Sequence, residues 1–165
     1  MQSKIENIIK ECRKYTKEGE VASYIPELEK ADKNALGIYI DKLDGSQFYS
    51  GDYETKFTIQ SISKVISLII AIMDNGMEKV FSKVGVDPTS YSFNSIITLE
   101  AKDTHKPLNP MINAGAIAIV SLIKGDSPEE IIGRILDFTK KVTGNEDIKI
   151  NEEVYKSEKR TGDRN

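Results

Sequence analysis

The chain has 165 residues, 23 Lys and Arg against 26 Asp and Glu, a formal net charge of −3 and 39% hydrophobic residues, the balance of an ordinary globular protein able to build one core without staples. The near-equality of charge, with no run of Lys or Arg, leaves no electrostatic footprint for a nucleic acid or an anionic membrane. One cysteine, Cys12, and one histidine, His105, exclude an intramolecular disulfide, a Cys/His zinc set and a Ser-His or Cys-His pair as the central chemistry.

No apolar run reaches the length that spans a bilayer, and the first residues lack the uninterrupted apolar centre of a secretory signal. A soluble cytoplasmic protein is expected, with neither nucleic acid nor membrane as partner. Ile5, Ile8, Ile9 and Cys12 recur at the spacing of one helical face, which predicts an amphipathic helix over 3–17 ended by Gly19, with Cys12 as a small buried hydrophobe. Leu36 to Asp41 and Gln47 to Ser50 flank Asp44-Gly45 and read as a β-hairpin with a tight turn. Phe57 to Gln60 extends this strand region. The pattern then changes to Ile62 through Met73, apolar nearly all round, which predicts a helix buried on several sides.

A short helical piece near 77–84 and a turn at Gly85 to Pro88 lead into a polar loop through His105. Asn109-Pro110 reads as an N-cap followed by proline at the first helical position, opening a buried helix over 110–124 that carries the small residues Ala114-Gly115-Ala116. Gly125 stops it. Ser127-Pro128-Glu129-Glu130 is a capping box that opens a helix to about Val142 with Ile131, Ile132, Ile135 and Leu136 inward. A last helix over 150–160 precedes the polar end at Asn165.

Ser61-Ile62-Ser63-Lys64 places a hydroxyl at the opening of a helix and an ammonium one turn later, where the two side chains share a face. A lysine whose burial lowers its pKa can take the proton of a serine nucleophile, and the helix start offers N–H groups for an oxyanion. The pattern alone is weak. With 14 Ser and 19 Lys in the chain, chance supplies about 1.6 Ser-x-x-Lys matches, and a second one, Ser121 to Lys124, sits at a predicted helix C-terminus where a lysine complements the macrodipole. Ser61 and Lys64 therefore read either as a nucleophile and its base or as a capping serine and a snorkelling lysine. Asn113, in the first turn of its helix, reads as a structural amide or one facing a cavity. Glu158, among Lys156, Lys159 and Arg160, reads as a solvated helix-face charge, Tyr24 as a packing residue and Asn165 as a terminus.

Four stretches in order, Val21 to Leu28 (VASYIPEL), Phe57 to Lys64 (FTIQSISK), Asn109 to Ala116 (NPMINAGA) and Ser157 to Asn165 (SEKRTGDRN), together resemble the serine-dependent glutaminases, a family similar in its catalytic domain to serine β-lactamases and penicillin-binding proteins. The second pair of patterns is far more specific than Ser-x-x-Lys. The resemblance implies an α/β (α+β) fold, an antiparallel sheet flanked by helices with a helical subdomain, of which this chain corresponds to the N-terminal part of one catalytic domain. Residues 1–60 form the helix and hairpin region, residues 61–165 the nucleophile helix and subdomain, and the C-terminal part is absent. It further implies hydrolysis of L-glutamine to L-glutamate and ammonia, with Ser61 as nucleophile, Lys64 as general base, and Asn113, Glu158, Asn165 and Tyr24 around the amino-acid end of the substrate. No metal or organic cofactor is implied, and the full-length family generally forms homo-oligomers. Other readings are a different Ser-x-x-Lys acyl hydrolase of the β-lactamase kind, or an inactive remnant serving as a binding or oligomerisation module.

Overall fold

A computed structural model of the chain describes residues 1–90, 92 and 106–162; the polar loop expected around His105 and the terminal Asn165 lie outside the described residues. Two compact units divide the chain, Met1–Thr58 with Ile150–Asn165, and Ile59–Lys149.

In the first unit, α1 (Gln2–Cys12) packs on a hairpin of β1 (Gly37–Asp41) and β2 (Gln47–Gly51), antiparallel with Tyr39 opposite Tyr49. Ile5 and Ile9 are buried, whereas Ile8 and Cys12 are exposed. The apolar stripe is thus narrower than the spacing predicts, because one helix on a two-stranded ribbon is covered along a single line. The α-helix also ends short of residue 17, tightening into a 3-10 turn at Arg13–Lys17. Arg13 reaches back from that turn to the Asn34 carbonyl at 2.9 Å and to the Asp52 carboxylate at 2.9 Å, fixing the helix end against the base of the hairpin.

At the hairpin tip, Gly45 N–H donates to the Lys42 carbonyl at 2.9 Å, and Gly45 adopts φ +80°, a conformation that favours glycine. The carboxylate of Asp44 holds the same tip together. It accepts from the Lys42 ammonium at 2.5 Å and from Ser46 N–H at 2.9 Å, and these bonds hold its pKa down at about 2. The expected continuation at 57–60 is not a strand: Phe57 is 78% exposed, Ile59 has helical backbone, and Gln60 stands at φ +42°. The chain turns there into a 3-10 turn, Gln60–Ile62, and cannot remain extended.

The last element, α6 (Glu152–Gly162), belongs to this unit and packs on a 3-10 turn at Pro26–Lys30. Ile25 and Val154 are buried, and the buried Ser157 hydroxyl accepts the Glu27 N–H at 3.2 Å.

The second unit contains α2 (Ser63–Asn75), α3 (Met77–Lys83), α4 (Asn113–Val120) and α5 (Pro128–Thr143). Its core is Ile70, Ala71, Val80, Val84, Ile119 and Ile123, with Ile131, Ile135 and Phe138 packed against it. The all-round burial expected of α2 is not found. Ser67, Ile70 and Ala71 face the core, while Val65, Ile69 and Met73 are exposed, because α3, α4 and α5 supply neighbours on one side.

The helix expected from Pro110 begins three residues later. Asn109 does not cap it; its Oδ1 accepts the N–H of Met111 at 2.9 Å and of Ile112 at 3.2 Å, closing a separate turn. Ile117, expected to be buried in α4, is 72% exposed. In α5 the capping serine is as expected, Ser127 Oγ accepting the Glu130 N–H at 3.1 Å, and Gly144 closes the helix in the left-handed conformation. Ile131, Ile135 and Leu136 are half-buried, but Ile132 is exposed, since it lies at the edge of the apolar stripe rather than within it.

Candidate active site

Ser61 and Lys64 stand where irregular backbone becomes α2. Gln60 is the one non-glycine residue with positive φ among the described residues, a conformation that costs about 1–3 kcal/mol and persists where surrounding structure imposes it. Ser61, exposed, follows at once in the 3-10 turn, and the Ser63 hydroxyl donates back to the Gln60 carbonyl at 2.7 Å. Lys64, in the first turn of α2, is half-buried. Its Nζ donates to the Met111 carbonyl at 3.0 Å and to Asn113 Oδ1 at 2.8 Å. Desolvation pushes its pKa below the ordinary lysine value of 10.5, the direction a general base requires.

A groove beside it is lined by Ser63, Lys64, Ser67, Ala116, Ile117 and Val120. Lys64 is the one charged residue in that lining. The close approach of α4 to the preceding turn depends on Gly115. A β-carbon on that residue would lie 1.9 Å from the Asn109 carbonyl oxygen, so only glycine lets the turn that carries Met111 sit against the helix that carries Asn113.

The structure thus brings Lys64 and Asn113 into direct contact and places Ser61 one turn before Lys64. Tyr24 and Glu158 are both exposed in the other unit, on adjoining segments: Tyr24 precedes the turn at Pro26–Lys30, and Glu158 follows Ser157, which bonds that turn. Asn165 lies outside the described residues. The competing Ser-x-x-Lys match differs in setting, with Ser121 at the C-terminal end of α4 donating to the Ala118 carbonyl at 2.8 Å. Sequence reasoning missed the Met111 carbonyl, the strained Gln60 and the docking role of Ser157. Only the Asn-Pro pair before α4 signalled a turn there.

The family model described as glutaminase matches residues 19–165. The chain belongs to the glutaminase family. A glutaminase of Clostridium tetani is 81% identical over 165 residues, covering all of this chain and 54% of that protein, and glutaminase 2 of Clostridium perfringens is 61% identical with the same coverage. A solved covalent complex of a Bacillus subtilis glutaminase with 5-oxo-L-norleucine, formed by reaction with 6-diazo-5-oxo-L-norleucine, superposes with a TM-score of 0.83 at 34% identity, covering 99% of this chain and 49% of that one. The glutaminase neighbours have the serine β-lactamase-like fold, and the helices and small antiparallel sheet of this chain are part of it. The chain spans about half the length of the curated relatives it matches. Among the described residues no helix is long and apolar enough to cross a membrane.

Proposed function

We propose that this chain carries the nucleophile-bearing part of a catalytic domain that hydrolyses L-glutamine to L-glutamate and ammonia. The observation that carries this reading is the anchoring of Lys64, half-buried in a neutral groove, one helical turn after Ser61 in a chain of the glutaminase family.

In the reaction, Ser61 Oγ attacks the carbon of the side-chain carboxamide while its proton passes to Lys64 Nζ. The tetrahedral adduct collapses by breaking the C–N bond; the nitrogen takes a proton from Lys64 and leaves as ammonia. Water then attacks the ester, giving up its proton to Lys64, and Ser61 regains a proton as glutamate departs. The N–H groups at the start of α2 suit the developing oxyanion. By resemblance, Tyr24, Asn113, Glu158 and Asn165 hold the amino-acid end of glutamine, with Glu158 supplying the negative charge that an α-ammonium requires. The two units belong, on this reading, to one catalytic domain that operates in a homo-oligomer of full-length chains. An exposed free thiol at Cys12 suits the reducing cytoplasm.

The test is glutamate release from L-glutamine beside the Ser61→Ala variant, together with the mass of the peptide carrying Ser61 after exposure to 6-diazo-5-oxo-L-norleucine. Covalent labelling and turnover that both vanish in Ser61→Ala are expected. Turnover that survives Ser61→Ala would overturn the reading.

A further inference from the structure

We propose that Asn75-Gly76 is a site of spontaneous deamidation that the fold holds closed, and that opening the end of α2 converts it irreversibly to aspartate or isoaspartate, a product unable to refasten the helix.

The chemistry begins in the sequence. Asparagine is a thermolabile side chain, lost when the backbone nitrogen of the next residue attacks its carboxamide carbon. A glycine in that next place leaves the nitrogen uncrowded by a β-carbon and the backbone free to bend. Asn75-Gly76 is the one Asn-Gly pair in the chain. In the step, Gly76 N bonds to Asn75 Cγ, the Cγ–Nδ2 bond breaks, and the proton given up by Gly76 N leaves with the amide nitrogen as ammonia. Water then opens the cyclic imide. Breaking the new Cγ–N bond leaves aspartate; breaking the original peptide bond leaves isoaspartate, with the main chain rerouted through Cβ and Cγ.

The fold opposes each part of this. Asn75 is the last residue of α2, and Gly76 N–H donates to the Ile72 carbonyl at 2.8 Å, so the attacking nitrogen keeps its proton and faces back along the helix. Asn75 Nδ2 donates to the Ala71 carbonyl at 3.0 Å and to the Leu122 carbonyl at 2.7 Å, which holds the carboxamide against the preceding turn. The neighbouring Asp74 ties down the same segment, accepting Lys124 N–H at 2.8 Å and the two Arg134 guanidinium nitrogens at 2.7 and 2.8 Å. Gly76 itself is exposed at φ +80°, and a β-carbon built on it would meet nothing within 4 Å. Water and base therefore reach the pair as soon as those bonds open.

The conversion runs one way. A carboxylate at 75 has acceptors only, and it would face the Ala71 and Leu122 carbonyl oxygens, which are acceptors too. It also sets a negative charge at the C-terminal end of α2, the unfavourable pole of the helix dipole. Isoaspartate lengthens the main chain at the same point. Each molecule that opens long enough to react is withdrawn from the native population, and the helix that carries Lys64 in its first turn loses its fastening at the other end. The step uses only this chain and water, so it holds whether or not the chain turns over glutamine.

The experiment follows the tryptic segment Val65 to Lys79, which contains one asparagine and no glutamine, by mass spectrometry after incubating the whole chain in mildly alkaline buffer. A synthetic peptide of residues 72–79 in the same buffer gives the unrestrained rate. The wild-type chain is expected to gain the amide-to-acid mass at least about tenfold more slowly than the peptide, the ratio reporting how rarely the helix end opens. Arg134→Met, which frees Asp74, is expected to bring the rate toward that of the peptide. Equal rates in the wild-type chain and the peptide would overturn the proposal, as would an Arg134→Met rate no faster than wild type. Asn75→Asp, the product made directly, is expected to lower the urea midpoint of unfolding. A midpoint equal to that of the wild type would mean that the product still fastens the helix, and the one-way conversion would be overturned.

Discussion

Asp74 joins three segments of the second unit through one carboxylate. Arg134 grips it with both guanidinium nitrogens at 2.7 and 2.8 Å, and Lys124 N–H donates to it at 2.8 Å, so the end of α2, the loop after α4 and the body of α5 meet there. The Arg134 bonds, then the Lys124 N–H, hold its pKa at about 2 against an ordinary 3.8. A depressed folded-state value means that the stabilisation is fully present above about 3.8 and is lost as pH falls through about 2. Arg134→Met should lower unfolding stability by about 2 kcal/mol near neutrality, the size of a charged hydrogen-bonded pair. The difference from wild type should shrink across that acid window. Urea midpoints of both proteins over that range check it, and a pH-independent difference would place the effect in packing. Nothing in the sequence pairs residues 74 and 134, which lie 60 positions apart; Lys64 and Asn113 were each singled out through motifs that the family resemblance names, but their contact at 2.8 Å was not.

At the scale of elements, what was legible depended on whether local chemistry alone decided the outcome. The hairpin and the start of α5 were readable because Gly45 and Ser127 act on their own neighbours, within four residues. The start of α4 was not. Asn109-Pro110 satisfies every local rule for a helix start, yet Asn109 closes a turn ahead of the helix because Gly115 allows the backbone to fold back onto it. The exposed sides of α2 and α4 were illegible for a related reason, since an apolar residue announces a preference for burial but not the presence of a neighbour. Gly115→Ala tests the turn. A β-carbon placed 1.9 Å from the Asn109 oxygen must displace backbone, which should cost about 1–3 kcal/mol and release the Met111 carbonyl from Lys64. Thermal melting should record the loss, and Lys64 acetylation at fixed pH should change in the same variant. An unchanged Lys64 beside a lowered melt would show that the turn holds α4 without holding the base.

For the molecule as a whole, the two units differ in how much core each has to itself. The second collects Ile70, Ala71, Val80, Val84, Ile119 and Ile123 into one cluster, with Ala71 and Val80 fully buried. The first relies on Ile5 and Ile9 under one hairpin and on Ile25 and Val154 beside α6, and a sheet of two strands is marginal without more support. Local opening free energy follows buried apolar contact and backbone shielding. Amide hydrogen exchange should therefore be slowest over Ile70 to Met73 and around Ile119, and faster by orders of magnitude over β1 and β2. Within the hairpin, Tyr49 N–H should exchange more slowly than an open edge allows, because Gln2 Oε1 accepts it at 3.3 Å while Gln2 Nε2 donates to the Tyr49 carbonyl at 2.8 Å. Gln2→Ala should remove that protection and leave the rates in α2 untouched. Equal protection of both units in the wild type would mean that they open as one cooperative body, and the chemistry anchored at Lys64 would then share its stability with the hairpin rather than with α2 and α4 alone.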